Sequence, residues 1–337
     1  MTGRAPAPDA PPRLRPLGLR LALAGAGVLA LAAVSLFIGV SDVTPLDLLR
    51  ADGDSPAEQI FWLSRVPRTI SIVLAGAAMA VCGLVMQMLV RNRFVEPSTI
   101  GTTEAAGLGL LVATILAPGL PLLSKMLVAS VFALASTLVF VRVLRALPLR
   151  SIVLVPLVGL MLSGVIASVS TYVAFRYDLL QTLSAWMTGD FSGVIAGRYE
   201  LIWIVAALTA AVYIAGDRFT VTGLGDEFTT NLGLNYRRTV ALGMSLVSVV
   251  TAVVVVVVGA LPFLGLVVPN IVSLALGDNL RRSLPWVAVL GSGFVLVCDI
   301  LGRVVRFPYE IPIGVVVGVV GAALFLVLLL RKSARVG

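Results

Sequence analysis

The 337-residue chain has no histidine, only two cysteines, and charged side chains at just 12% of its positions. Without histidine it lacks the usual general base of neutral pH and the commonest metal ligand, so His-based acid–base catalysis and His metal ligation are excluded. Cys82 and Cys298 each lie inside an apolar run. They read as packing residues and imply neither a disulfide framework nor a metal site. Lysine occurs only at Lys125 and Lys332, and no G-x-x-x-x-G-K-[ST] stretch is present. The chain therefore has no phosphate-binding loop of its own, and any ATP that powers it is bound by another subunit. Paired membrane acids and an H-E-x-x-H motif are also missing, which argues against an intramembrane enzyme.

What the chain has is apolar length. It is 59% hydrophobic, with a mean hydropathy of +1.05. Several runs approach or exceed the ~20 residues that cross a bilayer as a helix, which defines a polytopic all-α membrane protein. The net charge of +8 would point to nucleic acid in a soluble protein. Here the arginines sit at the ends of apolar runs, so the charge is a topology signal and the expected partner is the lipid bilayer, with no nucleic acid. The runs are Leu21 to Val40, Pro67 to Val90, Ser98 to Ala117, Leu122 to Val141, Ile152 to Phe175, Leu201 to Ala215, Thr239 to Gly259, Ala260 to Leu276, Leu284 to Leu301 and Ile311 to Leu330. Only Ala260 to Leu276, interrupted by Pro262 and Pro269, is ambiguous as a span.

Charge decides the count. With ten crossings and an internal N-terminus, 17 of the 25 Lys and Arg face inward; if Ala260 to Leu276 does not cross, only 14 do. The positive-inside rule selects ten spans with both termini cytoplasmic. Trp62, Trp186, Trp203 and Trp286 all fall at span ends, where an interfacial belt is expected. Residues 1–17, rich in Pro and Arg, read as a disordered cytoplasmic N-terminus. Residues 18–332 form one transmembrane domain, and 333–337 a cytoplasmic tail. Ser41 to Arg65 is a polar loop carrying Asp42, Asp47, Asp52, Asp54 and Glu58.

Within this topology, residues 217–238 form a cytoplasmic segment centred on a polar island, GDEFTTNLGLNYRR, Gly225 to Arg238. Asp226 and Glu227 sit where the first turn of a short helix starts, against its positive end. Phe228 and Leu232, four apart, share a helix face, and Gly233 is placed to stop the helix. The island is either an amphipathic grip for a soluble partner or a folded loop that touches nothing. Arg65, Arg68, Arg303 and Arg306 lie at outer span ends, where they either pair with headgroups or form a basic rim that receives an acidic surface. Glu96-Pro97 is expected to form the cytoplasmic turn between the second and third spans. Glu104, near the membrane, is a functional acid or a helix cap. Ser163, Ser170 and Thr171 are spaced to share a face of the fifth span, lining a path or bonding helix carbonyls.

These motifs resemble type II ABC importer permeases, the FecCD-like family of iron-siderophore, haem and vitamin B12 uptake. The family commonly reads G-E-E-x-A-x-x-L-G-V-x-x-x-x-R at its coupling segment, and Gly225, Asp226, Glu227, Leu232, Gly233 and Leu234 match. Thr230 stands about where a small residue is frequent. Its R-N-P-L-A-[DE]-P-x-x-[LI]-G segment is similar to Arg91 to Gly101, with Arg93 in place of the proline. LPFLGLVVPN (Leu261 to Asn270) resembles the family's G-x-x-x-F-[VIL]-G-L-[VI]-[VA]-P-[HN] signature, and GDNLRRSLP (Gly277 to Pro285), CDILGR (Cys298 to Arg303) and FPYEIPIGVVVGVVG (Phe307 to Gly321) closely resemble the petrobactin and catecholate-siderophore branch. The resemblance spans about Ala30 to Leu330 and implies a vitamin B12 permease-like architecture. It implies that Gly225, Asp226, Glu227, Phe228, Leu232 and Gly233 couple to a cytoplasmic ATPase. It places Arg65, Arg68 and Arg303 where the family receives glutamates of an extracytoplasmic binding protein. It sets Ser163, Ser170, Thr171 and Glu104 beside the translocation path. It further implies a second permease chain, a heterodimer being favoured over a homodimer, in the cytoplasmic membrane. No cofactor is expected on this chain; ATP belongs to the partner subunit. The expected cargo is an iron(III)–siderophore of catecholate type. The alternatives are haem or cobalamin in the same architecture, or an ATP-independent secondary transporter.

Overall fold

Every regular element among the described residues is helical, as a chain in lipid must satisfy its backbone internally or close a barrel. The structure is a computed structural model and describes residues 15–39, 43–49, 55–146, 154–277 and 279–333. Residues 1–14, the loop acids Asp42, Asp52 and Asp54, Arg150 and the tail from residue 334 lie outside the described residues.

The helices run α1 (Arg15–Phe37), α2 (Pro45–Leu49), α3 (Pro56–Ile60), α4 (Val66–Leu89), α5 (Thr102–Leu116), α6 (Leu122–Ala146), α7 (Leu154–Arg176) and α8 (Leu180–Met187). They continue with α9 (Ile202–Ile214), α10 (Gly216–Gly223), α11 (Asp226–Asn231), α12 (Tyr236–Val258), α13 (Leu264–Leu276), α14 (Leu280–Val304) and α15 (Ile313–Ser333). Seven are long and apolar enough to span: α1, α3–α4 joined by a π-helical turn, α6, α7, α12, α14 and α15. The pair α9 and α10, bent by 57°, makes an eighth candidate, and α5 and α13 are shorter apolar helices. All ten apolar runs are thus helical, though two fall short of a full crossing.

The bundle is built around α4, whose most apolar window is 78% buried. It packs on α14, α13, α12 and α9. Close backbone approach makes this possible. A Cβ at Gly76 would stand 2.8 Å from the Gly291 carbonyl oxygen, and one at Gly83 would stand 2.0 Å from that of Gly265. Such small-residue contacts hold helices together where lipid offers no hydrophobic drive. Hydroxyls add to them: Thr137 Oγ1 bridges Thr102 Oγ1 at 3.2 Å and Ser248 Oγ at 2.7 Å, joining α5, α6 and α12. The valine run at the end of α12 stays helical despite its β-branching, because intrahelical bonding outweighs propensity in an apolar surround.

The short helices explain the ambiguous eighth run. α13 begins at Leu264, and Pro269 lies inside it. A proline there removes the N–H that would bond the carbonyl four residues back, that of Gly265. Gln87 Nε2 of α4 donates to that carbonyl at 3.0 Å. Asn270 Nδ2 donates to the Leu266 carbonyl at 2.7 Å and to that of Arg93 at 2.9 Å.

Glu96 lies in the connection between α4 and α5, and that turn is buried: the residue is 3% exposed. Its carboxylate accepts from Ser98 Oγ at 2.6 Å and from the Phe263 amide at 2.9 Å. The Gly83–Gly265 contact lies inside α4, so α13 starts within the layer that α4 spans. The segment from Asn92 to Gly101 therefore folds back into the protein to meet it. Irregular backbone at membrane depth is tolerated where protein buries it, and an acid at a helix start suits the local dipole.

Candidate functional site

One end of the bundle carries α11. After α10, Gly225 takes φ 114°, a value open to glycine, and α11 starts at Asp226 as the spacing predicts. Asp226 and Glu227 occupy its first turn. The helix ends earlier than predicted, at Asn231, so Phe228 and Leu232 do not both lie within it. Leu232 is instead the capping residue, and its amide still bonds the Phe228 carbonyl at 3.1 Å. Gly233, at φ 79°, closes the turn: its amide reaches Thr230 O and the Leu234 amide reaches Thr229 O, each at 3.0 Å. This double closure is the Schellman arrangement that glycine favours.

The seat of α11 is polar and buried. Thr229 is fully buried, and its hydroxyl donates to Gly225 O at 2.6 Å and Val221 O at 3.2 Å, fixing α11 to α10. Arg91, at the end of α4, lies against Gly225; a Cβ there would stand 3.2 Å from its guanidinium. The result is a rigidly held outer face on which Leu224, Phe228 and Leu232 are 55%, 61% and 64% exposed.

The opposite end holds a cluster of five charged side chains. Arg68 donates to Asp299 Oδ1 through Nη2 at 2.8 Å and Nε at 3.3 Å, and to Glu310 Oε2 through Nη1 at 2.8 Å. Arg303 bonds the second oxygen of Asp299. Arg303 also donates to the carbonyls of Ser35 at 2.9 Å and Ile38 at 2.6 Å, and Arg65 donates to Ile38 O as well. Those carbonyls belong to the last turn of α1 and the residue after it, where a helix leaves acceptors unsatisfied and favours positive charge. Sequence reading placed Arg65, Arg68 and Arg303 together on an outward rim. The structure brings them together; Arg65 is 8% and Arg303 3% exposed, and both donate to carbonyls that end α1. Arg306, by contrast, is exposed, with its guanidinium 5.9 Å from the centre of the Tyr309 ring.

The fifth-span residues divide. Ser163 and Ser170 are buried, while Thr171 is exposed, so they share no open face. Ser170 Oγ bonds Ile166 O at 2.9 Å and Thr171 Oγ1 bonds Ala167 O at 2.8 Å, both within α7. Ser163 faces the Glu104 carboxyl, which brings α7 against the first turn of α5. Two open concavities lie further along α7 and onto α8. One of 510 Å³ is lined by Ser168, Thr171, Tyr172 and Phe175. Another of 510 Å³ is lined by Gln181, Ser184, Thr188 and Asp190, and Leu180 borders both. Sequence reading missed Gln181, Asp190 and Glu310; lone polar residues in loops and short helices carry no periodic signal.

A many-helix membrane bundle with a presented apolar knob at one end, a charged cluster at the other and concave surface between defines a membrane permease. Residues 27–331 match the FecCD transport family, and the chain belongs to it. As a permease of that family it is a multi-pass, non-enzymatic transmembrane component. It is 49% identical over 304 residues to a petrobactin import system permease protein, YclN of Bacillus subtilis, covering 90% of this chain and 96% of that one. It is 43% identical to a petrobactin import system permease protein, FatD, of Bacillus anthracis, covering 90% and 89%. It is 40% identical to a ferric-anguibactin transport system permease protein, FatD, of Vibrio anguillarum, covering 90% and 96%. Among solved structures, an inward-facing metal-chelate type ABC transporter matches with TM-score 0.79 at 22% identity, covering 95% of this chain and all of that one. That likeness bears on the fold, which is the vitamin B12 permease-like architecture the motifs imply.

Proposed function

We propose that the chain is the permease subunit of an ATP-binding cassette importer that carries an iron(III)–siderophore of catecholate type across the cytoplasmic membrane. The observation that carries the cargo class is the 49% and 43% identity to petrobactin permeases along nine-tenths of the chain. The exposed Phe228 on a clamped α11, with exposed Leu224 and Leu232 on the turns that flank it, supports docking to a cytoplasmic ATPase, which binds the ATP. Closure of an ATPase pair then shifts α11, and with it α10 and the end of α4.

A second permease chain completes the path, with a heterodimer favoured. Only 17% of the most apolar window of α7 is buried, and Met161, Val165, Tyr172 and Phe175 stand exposed along it. Such a helix suits a subunit interface or a pore wall. The path follows α7 from the Glu104–Ser163 contact to Ser168 and Thr171, then crosses Leu180 to Gln181, Ser184 and Asp190. An extracytoplasmic binding protein delivers the chelate at the end bearing Arg68. Both termini are placed in the cytoplasm on this reading, which the arginine distribution favours.

The test is uptake of radioiron as several ferric siderophores in cells with and without this gene, beside labelled cobalamin and haem. Loss of catecholate-complex uptake alone is the expected result. Loss of cobalamin or haem uptake instead overturns the cargo and leaves the importer class standing. Uptake that survives loss of every partner ATPase makes it a secondary transporter.

A further inference from the structure

We infer that Glu310 is a built-in stand-in for the partner's carboxylate, holding Arg68 until the extracytoplasmic binding protein docks and exchanging with an acid of that partner. The inference rests on the proposed docking at this end of the bundle, and concerns how that docking is regulated.

The cluster is graded in exposure. The Asp299 and Arg303 side chains are 1% and 2% exposed and bond one another. Arg65 and Arg303 end on the carbonyls that terminate α1. Arg68 is different. Two of its nitrogens hold Asp299 from within, and Nη1 alone points to the rim, where it meets Glu310. The Glu310 side chain is 28% exposed, the most accessible of the four in the paired network. It lies in the loop between α14 and α15, flanked by the exposed Phe307 and Tyr309 and by Arg306.

Charge completes the argument. Arg65, Arg68 and Arg303 against Asp299 and Glu310 leave one net positive charge; withdrawal of Glu310 leaves two. A carboxylate from a docking surface restores the balance with the same planar geometry at Nη1, so exchange keeps a charge-assisted bond on Arg68 throughout. Asp299 is the positioning residue: it fixes two corners of the guanidinium so that the third is presented outward. Before docking, Glu310 shields the site from unrelated anions. After docking it is released to solvent from the loop between α14 and α15.

The experiment measures association of the purified binding protein with the assembled transporter in lipid nanodiscs, across a salt series. The variants are Glu310→Gln and Arg68→Lys, which keeps the charge but not the fork. Glu310→Gln is expected to tighten binding about two- to fivefold, mainly through faster association and with steeper salt dependence. Arg68→Lys is expected to weaken it. If Arg68→Lys weakens binding but Glu310→Gln leaves it unchanged or weaker, exchange is overturned and docking at Arg68 stands. If neither variant alters binding, the docking reading itself is overturned, and exchange falls with it.

Discussion

The proline defect in α13 offers a worked test of how this bundle is held. Pro269 leaves the Gly265 carbonyl without its helical donor, and Gln87 Nε2, on α4, supplies one at 3.0 Å. Gln87 is 7% exposed, so water does not replace it. Gln87→Met keeps the length and apolar stem but orphans the carbonyl. Side-chain bonds between membrane helices average about 0.6 kcal/mol. An orphaned buried acceptor raises the cost toward about 1–2 kcal/mol. Pro269→Ala restores an N–H to the same carbonyl. In that background Gln87→Met should cost close to nothing, giving a coupling of about 1 kcal/mol between sites on different helices. The assay is a double-mutant cycle on thermal or SDS-induced unfolding of the purified permease in detergent. Equal destabilisation by Gln87→Met in both backgrounds refutes the argument, because Gln87 would then act by packing alone.

Four further outcomes follow from the same geometry. Phe228→Asp on α11, or Leu232→Asp on its cap, places charge on the exposed surface at this end, so insertion and folding persist while copurification of the ATPase and transport are lost. Arg303→Ala leaves Asp299 and the end of α1 short of a buried partner and should destabilise by about 3–5 kcal/mol. Arg306→Ala, at an exposed side chain, should stay within about 0.5 kcal/mol by the same unfolding assay. Gly76→Leu puts a Cβ 2.8 Å from the Gly291 carbonyl at the α4–α14 crossing, and membrane-inserted yield should collapse on a fluorescence-detected gel-filtration profile.

Much of this was legible in the sequence because hydrophobic length and helix punctuation are local. Gly225, the acids after it and Gly233 announce α11, and Asn235 caps α12 by accepting from the Arg238 amide at 3.0 Å. The exact reach of α11 was not legible, because the cap at Leu232 keeps the same bond without helical geometry. That the Glu96 turn is buried was not legible, because its partner, the Phe263 amide, lies 167 residues away. The burial of Arg65 and Arg303 was not legible, because sequence gives their position in the span but not the α1 carbonyls they meet. The spacing of Ser163, Ser170 and Thr171 predicts one shared face, yet only contacts reveal that Ser163 turns to Glu104 and the other two to their own helix.

The central claim is most directly tested by reconstitution. The chain would be assembled in proteoliposomes with its partner permease, ATPase and binding protein, and uptake of a radioiron-labelled ferric catecholate followed with and without ATP. The account predicts ATP-dependent accumulation with the native chain and none with correctly inserted Leu232→Asp. Accumulation without ATP, or undiminished accumulation with Leu232→Asp, would contradict it.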